Sequence, residues 1–279
     1  MDFKAYYANQ QKLVENYLKN RIAKKGISKV DEAMEYSLMA GGKRIRPILL
    51  MAAAEAVGSK GYNYLPVACG LEMIHTYSLI HDDLPAMDND DFRRGKPTNH
   101  KKFGEATALL AGDSLLTYAF GVAVSGGETT AEQNIDAVKL LSSRAGFDGM
   151  AGGQMLDLIG EKQKLTYEEF MLMNQLKTGC LIKTACLLGC IAAGYREGTD
   201  EYAAAEKYAE NVGLAFQIED DILDEGTEDN KTTFLTFMTV ESARNTVDGL
   251  TGNAKEIIAP YDRDGILSAF ADRLAVRKV

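Results

Sequence analysis

The chain has 279 residues and a formal net charge of −9, with 31 basic against 40 acidic side chains, five prolines and no tryptophan. That charge excludes a general nucleic-acid binder, which needs a basic face to neutralise phosphates. It does not exclude a small phosphorylated ligand, because metal cations can invert the local balance. Ordinary apolar and charged shares exclude disordered and fibrous classes, and the supply of Ala, Leu, Met and Glu leans toward helix.

The amphipathic, charged N-terminus lacks the apolar core of a secretion signal, and no run of eighteen apolar residues predicts a membrane span. A cytoplasmic location is expected. Apolar residues then recur at helical spacing: Leu13, Tyr17 and Ile22, followed by Ala33, Tyr36, Leu38 and Met39. After Gly41 and Gly42, a helix is expected to start at Pro47 and run to Gly58. The segment 65–83 reads as an apolar helix that Pro85 ends or bends. Further helices are predicted over 107–125, 131–146, 167–195 and 201–223, with one or two more from 240 onward. Residues 58–63 and 225–230 read as loops. No stretch alternates long enough to predict a sheet. The segments 67–80, 106–124 and 181–193 are apolar nearly all round, which requires burial on most sides. The expected fold is all-α, a single large helical bundle over 1–279 with a central cavity. Cys69, Cys180, Cys186 and Cys190 form no Cys-x-x-Cys pair and read as small buried hydrophobes.

Three segments carry chemistry. EMIHTYSLIHDDLPAMDNDDFRRGKPTNH (72–100) places Asp82, Asp83, Asp88, Asp90 and Asp91 after an apolar helix and just before Arg93 and Arg94. Crowded carboxylates repel unless cations compensate them, and Mg²⁺, which takes one or two carboxylates and substrate phosphate oxygens, suits them. A solvated acidic loop is the bland alternative. FQIEDDILDEG (216–226) sets Asp220 and Asp224 four apart on one helix face, with Asp221 beside them and apolar flanks. MAGGKRIRP (39–47) offers a Gly-Gly turn with Lys43, Arg44 and Arg46, which suits a diphosphate or simply a basic surface. His75, two turns before Asp82, reads either as a core histidine or as part of that site.

With these residues the chain resembles the trans-isoprenyl diphosphate synthase family, closest to its bacterial short-chain farnesyl diphosphate synthases. The matching segments are GGKRIRP, the stretch 72–100, AGDSLL, GGQMLDL, LKTGCLI, FQIEDDILD and KTTF, running from 41 to 234 in the family's order. The resemblance implies an isoprenoid-synthase fold and Mg²⁺, two to three ions bridged by diphosphate. Its metal ligands would be Asp82, Asp83, Asp88, Asp220, Asp221 and Asp224. Arg93, Lys177, Thr178, Gln217 and Lys231 would hold an allylic diphosphate, and Lys43, Arg46, His75 and Arg94 isopentenyl diphosphate. Of these, Asp82, Asp83, Asp88, Asp220 and Lys177 would carry the catalysis. Ionised by the loss of diphosphate, the allylic group is attacked by the double bond of isopentenyl diphosphate, and a proton is lost. No side-chain base is needed if the departed diphosphate takes that proton; only His75, His81 and His100 occur as histidines.

Tyr77 and Ser78, one turn before Asp82, would form the floor that sets product length, and a bulky Tyr77 implies a C15 product. The family usually carries a longer loop with a glycine-lysine pair before its KTT segment, whereas here only 225–230 (EGTEDN) intervenes. A true deletion removes one lysine contact and weakens a closing lid. The alternatives are a geranylgeranyl diphosphate synthase and a non-catalytic subunit of a heteromeric synthase. A terpene cyclase fits less well, having no use for a second diphosphate site. The resemblance also implies a homodimer, with 106–124 as an interface helix, and no nucleic-acid partner.

Overall fold

The computed structural model describes residues 2–22, 28–59, 64–126, 128–225 and 232–276. They form thirteen α-helices and one two-stranded hairpin, divided between two compact units. One unit comprises 2–51 and 61–138, the other 52–60 and 139–279. The all-α expectation holds.

The first unit contains α1 (Phe3–Ile22), α2 (Lys29–Leu38), α4 (Leu65–Asp82), α5 (Asn99–Phe103) and α6 (Glu105–Ala123). It also holds most of α3 (Ile45–Ala56) and the first half of α7 (Ala131–Ala145). Ser28 starts α2 through a capping box with Asp31, satisfying amides that the helix itself cannot. Pro47 sits in the first turn of α3, two residues after the helix begins, where a missing N–H costs nothing. Helix α4 packs closely on α6: a Cβ on Gly70 would lie 2.8 Å from the Ala119 carbonyl oxygen. Leu71, Met73 and Ile74 of α4 are fully buried, each worth about 1.5–3 kcal/mol on leaving water.

Between α4 and α5 lies a hairpin that the sequence did not announce. Strands β1 (Phe92–Arg93) and β2 (Lys96–Pro97) pair antiparallel around Arg94 and Gly95. Both turn residues have positive φ, 52° and 72°, which a two-residue turn matched to strand twist requires. Two residues per strand are too few to show alternation.

The second unit holds α8 (Met150–Gly160), α9 (Tyr167–Asn174), α10 (Cys180–Ala192), α11 (Asp200–Leu223), α12 (Val240–Ile258) and α13 (Ile266–Ala275). The helix expected over 167–195 is interrupted by a π-helical turn, Gln175–Gly179, between α9 and α10. Helix α8 falls in the gap left between the predicted helices. Phe170, Met173, Ile218, Ile222 and Phe234 form this unit's core beside α12. Cys69, Cys180, Cys186 and Cys190 are buried free thiols, and burial raises the pKa of each.

Two stretches reach the length and apolarity of a membrane span, Glu105–Ala123 and Tyr167–Ala192. The latter is buried over two thirds of its most apolar window, as a core helix is, and neither implies a span.

Candidate active site

In the first unit the loop 41–44 and the middle of α4 bring positive charge together. His75 is partly buried, and Arg46 Nη1 lies 3.3 Å from its Nε2. Burial, then the guanidinium groups of Arg46, Arg94, Arg93 and Arg44, hold its pKa well below the usual histidine range. A neutral ring therefore accepts from Arg46 at Nε2 and carries its proton on Nδ1. Lys43 is exposed. Arg44 is not part of this open charge. Its side chain is 1 % exposed, and it donates to Glu72 Oε1 at 2.7 Å and to the Leu38 carbonyl at 2.6 Å. The remaining guanidinium groups of Arg46, Arg94 and Arg93 around an uncharged imidazole form a site for a polyanion.

The first acidic motif begins where α4 ends. Asp88 N–H donates to the Asp82 carbonyl at 2.9 Å, folding the segment back on the helix end. Its five aspartates divide sharply. Asp83 is 3 % exposed and accepts from Arg93 Nε at 2.7 Å. Burial raises the Asp83 pKa above the usual carboxylate range, against the opposing pull of Arg93. Asp90 lies 3.6 Å from Arg93 Nη2, and exposed Asp91 pairs with Lys101 at 2.7 Å, which lowers its pKa. Part of the crowding is thus relieved by basic side chains. Asp82 is half-buried and Asp88 exposed.

Below the motif, Tyr77 is 9 % exposed and stacks edge-on against His81, centroids 5.7 Å apart. The His81 ring is seated against α6 where no side chain intervenes, since a Cβ on Gly112 would lie 2.0 Å from its Nε2. Ser78 spends its hydroxyl on the His75 carbonyl at 2.9 Å.

In the second unit Asp220 and Asp221 occupy the last turn of α11 and Asp224 caps it. Asp224 N–H donates to the Asp220 carbonyl at 3.0 Å, so the two share a face, as their spacing predicts. Asp221 Oδ2 accepts the Phe234 N–H at 2.6 Å and so anchors the segment that follows. Lys177 and Thr178 ride on the π turn, a feature common at functional sites. Lys177 Nζ lies 2.5 Å from Asp157 Oδ2. Gln217 is 6 % exposed and donates to the Asn174 carbonyl at 2.7 Å and to its Oδ1 at 3.0 Å. Lys231 and the loop 226–230 lie outside the described residues.

The donor set fits magnesium in a particular way. It is all carboxylate, the hard oxygen chemistry Mg²⁺ prefers. Yet among the described residues no three carboxylate, histidine or cysteine groups converge to cage a metal alone. A cation there would complete its shell with water and phosphate oxygens, as Mg²⁺ habitually does.

The polyprenyl synthetase family matches residues 27–235, which include all of these features. The chain belongs to that family. The farnesyl diphosphate synthase of Bacillus subtilis is 39 % identical over 290 residues, covering 98 % of this chain and 97 % of that one. The large subunit 1 of the heterodimeric chloroplast geranylgeranyl pyrophosphate synthase of Arabidopsis thaliana is 39 % identical over 298 residues, 99 % of this chain and 80 % of that one. Among solved structures, an FPP/GFPP synthase from Zymomonas mobilis superposes with a TM-score of 0.90 at 33 % identity, covering 98 % and 99 %.

Within this polyprenyl synthetase, several residues escape motif reading. Asp157, which holds Lys177, lies in GGQMLDL, a segment that carries the family resemblance but no acidic or basic cluster. Gly153 of the same segment allows α8 to touch the π turn; a Cβ there would sit 2.2 Å from the Lys177 amide nitrogen. Glu72, an acid inside an apolar helix, was the available signal for the partner of Arg44.

Proposed function

We propose that this polyprenyl synthetase condenses an allylic diphosphate (dimethylallyl or geranyl) with isopentenyl diphosphate to give farnesyl diphosphate. The chain would act as one isoprenoid-synthase domain over 1–279, in keeping with a family match that runs across both units. The observation that carries the reading is the division of polar groups along α4. One end presents the carboxylates of Asp82 and Asp88, and the middle presents His75 among arginines. One helix thereby serves two different diphosphates.

Asp82, Asp83, Asp88, Asp220, Asp221 and Asp224 would hold Mg²⁺, two to three ions bridged by the diphosphate. When bound, magnesium neutralises charge developing on the leaving group. Arg93, Lys177, Thr178, Gln217 and Lys231 would bind the allylic diphosphate, with Asp157 orienting Lys177. Lys43, Arg46, His75 and Arg94 would bind isopentenyl diphosphate. The allylic C–O bond breaks with its electron pair leaving on diphosphate. The isopentenyl double bond then supplies the new C–C bond, and a proton is lost to the departed diphosphate. Arg46 and neutral His75 bind and orient rather than transfer protons. Tyr77, propped by His81, and Ser78 would close the cavity at a C15 chain.

A geranylgeranyl product is the second reading, favoured by the similarity to the chloroplast enzyme's subunit. A non-catalytic subunit is disfavoured because both aspartate motifs are whole. The pairing of two copies into a homodimer is supported by α6, whose Leu109 and Leu110 stand 47 % and 52 % exposed on an apolar helix. Cytoplasmic residence accords with four free thiols.

The test is turnover with each allylic diphosphate plus labelled isopentenyl diphosphate, with and without Mg²⁺, and chromatography of the products. Condensation that persists without metal would refute the mechanism. A C20 product would replace the farnesyl assignment.

A further inference from the structure

The loop 41–44 is gripped by a residue of the site, Arg94, and by two residues of α1 outside it. Its three consecutive carbonyls are each taken by a side chain from another element. Arg94 of the hairpin donates to the Gly41 carbonyl, Gln11 Nε2 of α1 to the Gly42 carbonyl at 3.1 Å, and the Tyr7 hydroxyl of α1 to the Lys43 carbonyl. Arg44, buried against Glu72 and the Leu38 carbonyl, ties down the fourth residue.

This grip has a directional consequence. A trans peptide sets its N–H opposite to its C=O. Carbonyls drawn toward Arg94, Gln11 and Tyr7 therefore turn the N–H groups of Gly42, Lys43 and Arg44 the other way. The loop also holds conformations it would not adopt unaided. Gly41 and Gly42 have φ of +89° and +127°, and Arg44, a residue with a Cβ, has φ of +51°. Left-handed backbone at a non-glycine residue persists only where surrounding contacts over-determine it. Successive N–H groups in such a turn form a concavity that favours anions, and the negative ends of the carbonyl dipoles are kept away from it.

We infer that Tyr7 and Gln11 are positioning residues for the diphosphate that binds Lys43: α1 clamps the carbonyl side of the loop so that its N–H side and the Lys43 ammonium face the anion. The inference rests on assigning Lys43, Arg46, His75 and Arg94 to isopentenyl diphosphate. Tyr7 and Gln11 would act through the loop carbonyls they hold rather than by contact with the ligand. Tyr7 is 6 % exposed and its ring is core, so only its hydroxyl is at issue.

The experiment compares Tyr7→Phe, Gln11→Ala and the double variant with the unmodified chain, measuring KM for isopentenyl diphosphate and for geranyl diphosphate, kcat, and a melting curve. Tyr17→Phe serves as control, because it deletes another α1 hydroxyl whose partner is Ser125. Each clamp variant should raise KM for isopentenyl diphosphate about five-fold, and the pair about twenty-fold, with kcat and the geranyl KM unchanged. Tyr17→Phe should leave all three constants alone. A merely structural role would lower active enzyme, and hence kcat, without separating the two KM values. Unchanged KM values, or a fall in kcat alone, overturn the inference. If the unmodified chain neither turns over nor binds isopentenyl diphosphate by calorimetry, the assignment of the site fails and the inference falls with it.

Discussion

The Arg44–Glu72 pair makes a quantitative prediction about stability. The two side chains are 1 % and 3 % exposed and meet at 2.7 Å. Removing one partner of such a buried pair leaves an uncompensated charge and costs about 3–5 kcal/mol. Glu72→Ala falls at the lower end, about 3 kcal/mol, because the Leu38 carbonyl still accepts from Arg44 and Glu15 lies 4.0 Å away, 37 % exposed. Replacing both partners with apolar residues, Arg44→Met with Glu72→Leu, removes the stranded charge. The double variant should return to within about 1 kcal/mol of the parent. Equilibrium unfolding in urea reads this directly. At a slope of about 3 kcal/mol/M, the single variant's midpoint falls by about 1 M while the double variant's shifts far less. If Glu72→Ala costs under about 1 kcal/mol, or if the double variant is no better than the single, the pair is not the buried, mutually dependent unit described. The double variant should nevertheless lose affinity for isopentenyl diphosphate, since its Arg44 anchor is gone.

Three further outcomes follow from the site. His75 binds protons less readily in the folded chain than in the unfolded one, whose pKa is about 6.5. Its contribution is therefore present above about pH 6.5 and lost as pH falls below it, by up to about 1.4 kcal/mol per pH unit; urea midpoints should decline more steeply for the parent than for His75→Gln, and parallel curves would exclude the effect. Gly153→Ala drives a Cβ against the Lys177 backbone, which cannot yield as a side-chain tip could, so a cost of about 1–3 kcal/mol and a raised KM for the allylic diphosphate are expected. Identical kinetics and melting would show that the π turn tolerates displacement. Tyr77→Ala should lengthen the products; an unchanged chromatogram would remove Tyr77 as the floor.

What could be read from the residues divides along physical lines. Long apolar stretches such as α4 and α10 declare themselves, because burial on all sides leaves no polar face to confuse the period. The aspartate motifs and the basic loop were legible as residue types in unusual company. Direction was not. Lys43, Arg44 and Arg46 look alike in sequence, yet Arg44 turns inward to Glu72 while Lys43 stays exposed. Asp83 and Asp221 stand beside the other aspartates of their motifs but accept hydrogen bonds from Arg93 and from the Phe234 amide. The π turn was invisible because one extra residue in a helical run leaves composition unchanged. Helix α8 was not predicted, and nothing in its composition shows that Gly153 is there to admit the backbone of the π turn.

The small hairpin between α4 and α5 has a mechanical consequence. Its neighbouring arginines pull in different directions: Arg93 grips Asp83 in the acidic motif, and Arg94 grips the Gly41 carbonyl at the opposite pole of charge. Six residues thus work as a yoke. Any displacement of the hairpin therefore disturbs its hold on the acidic motif and its hold on the loop 41–44 together.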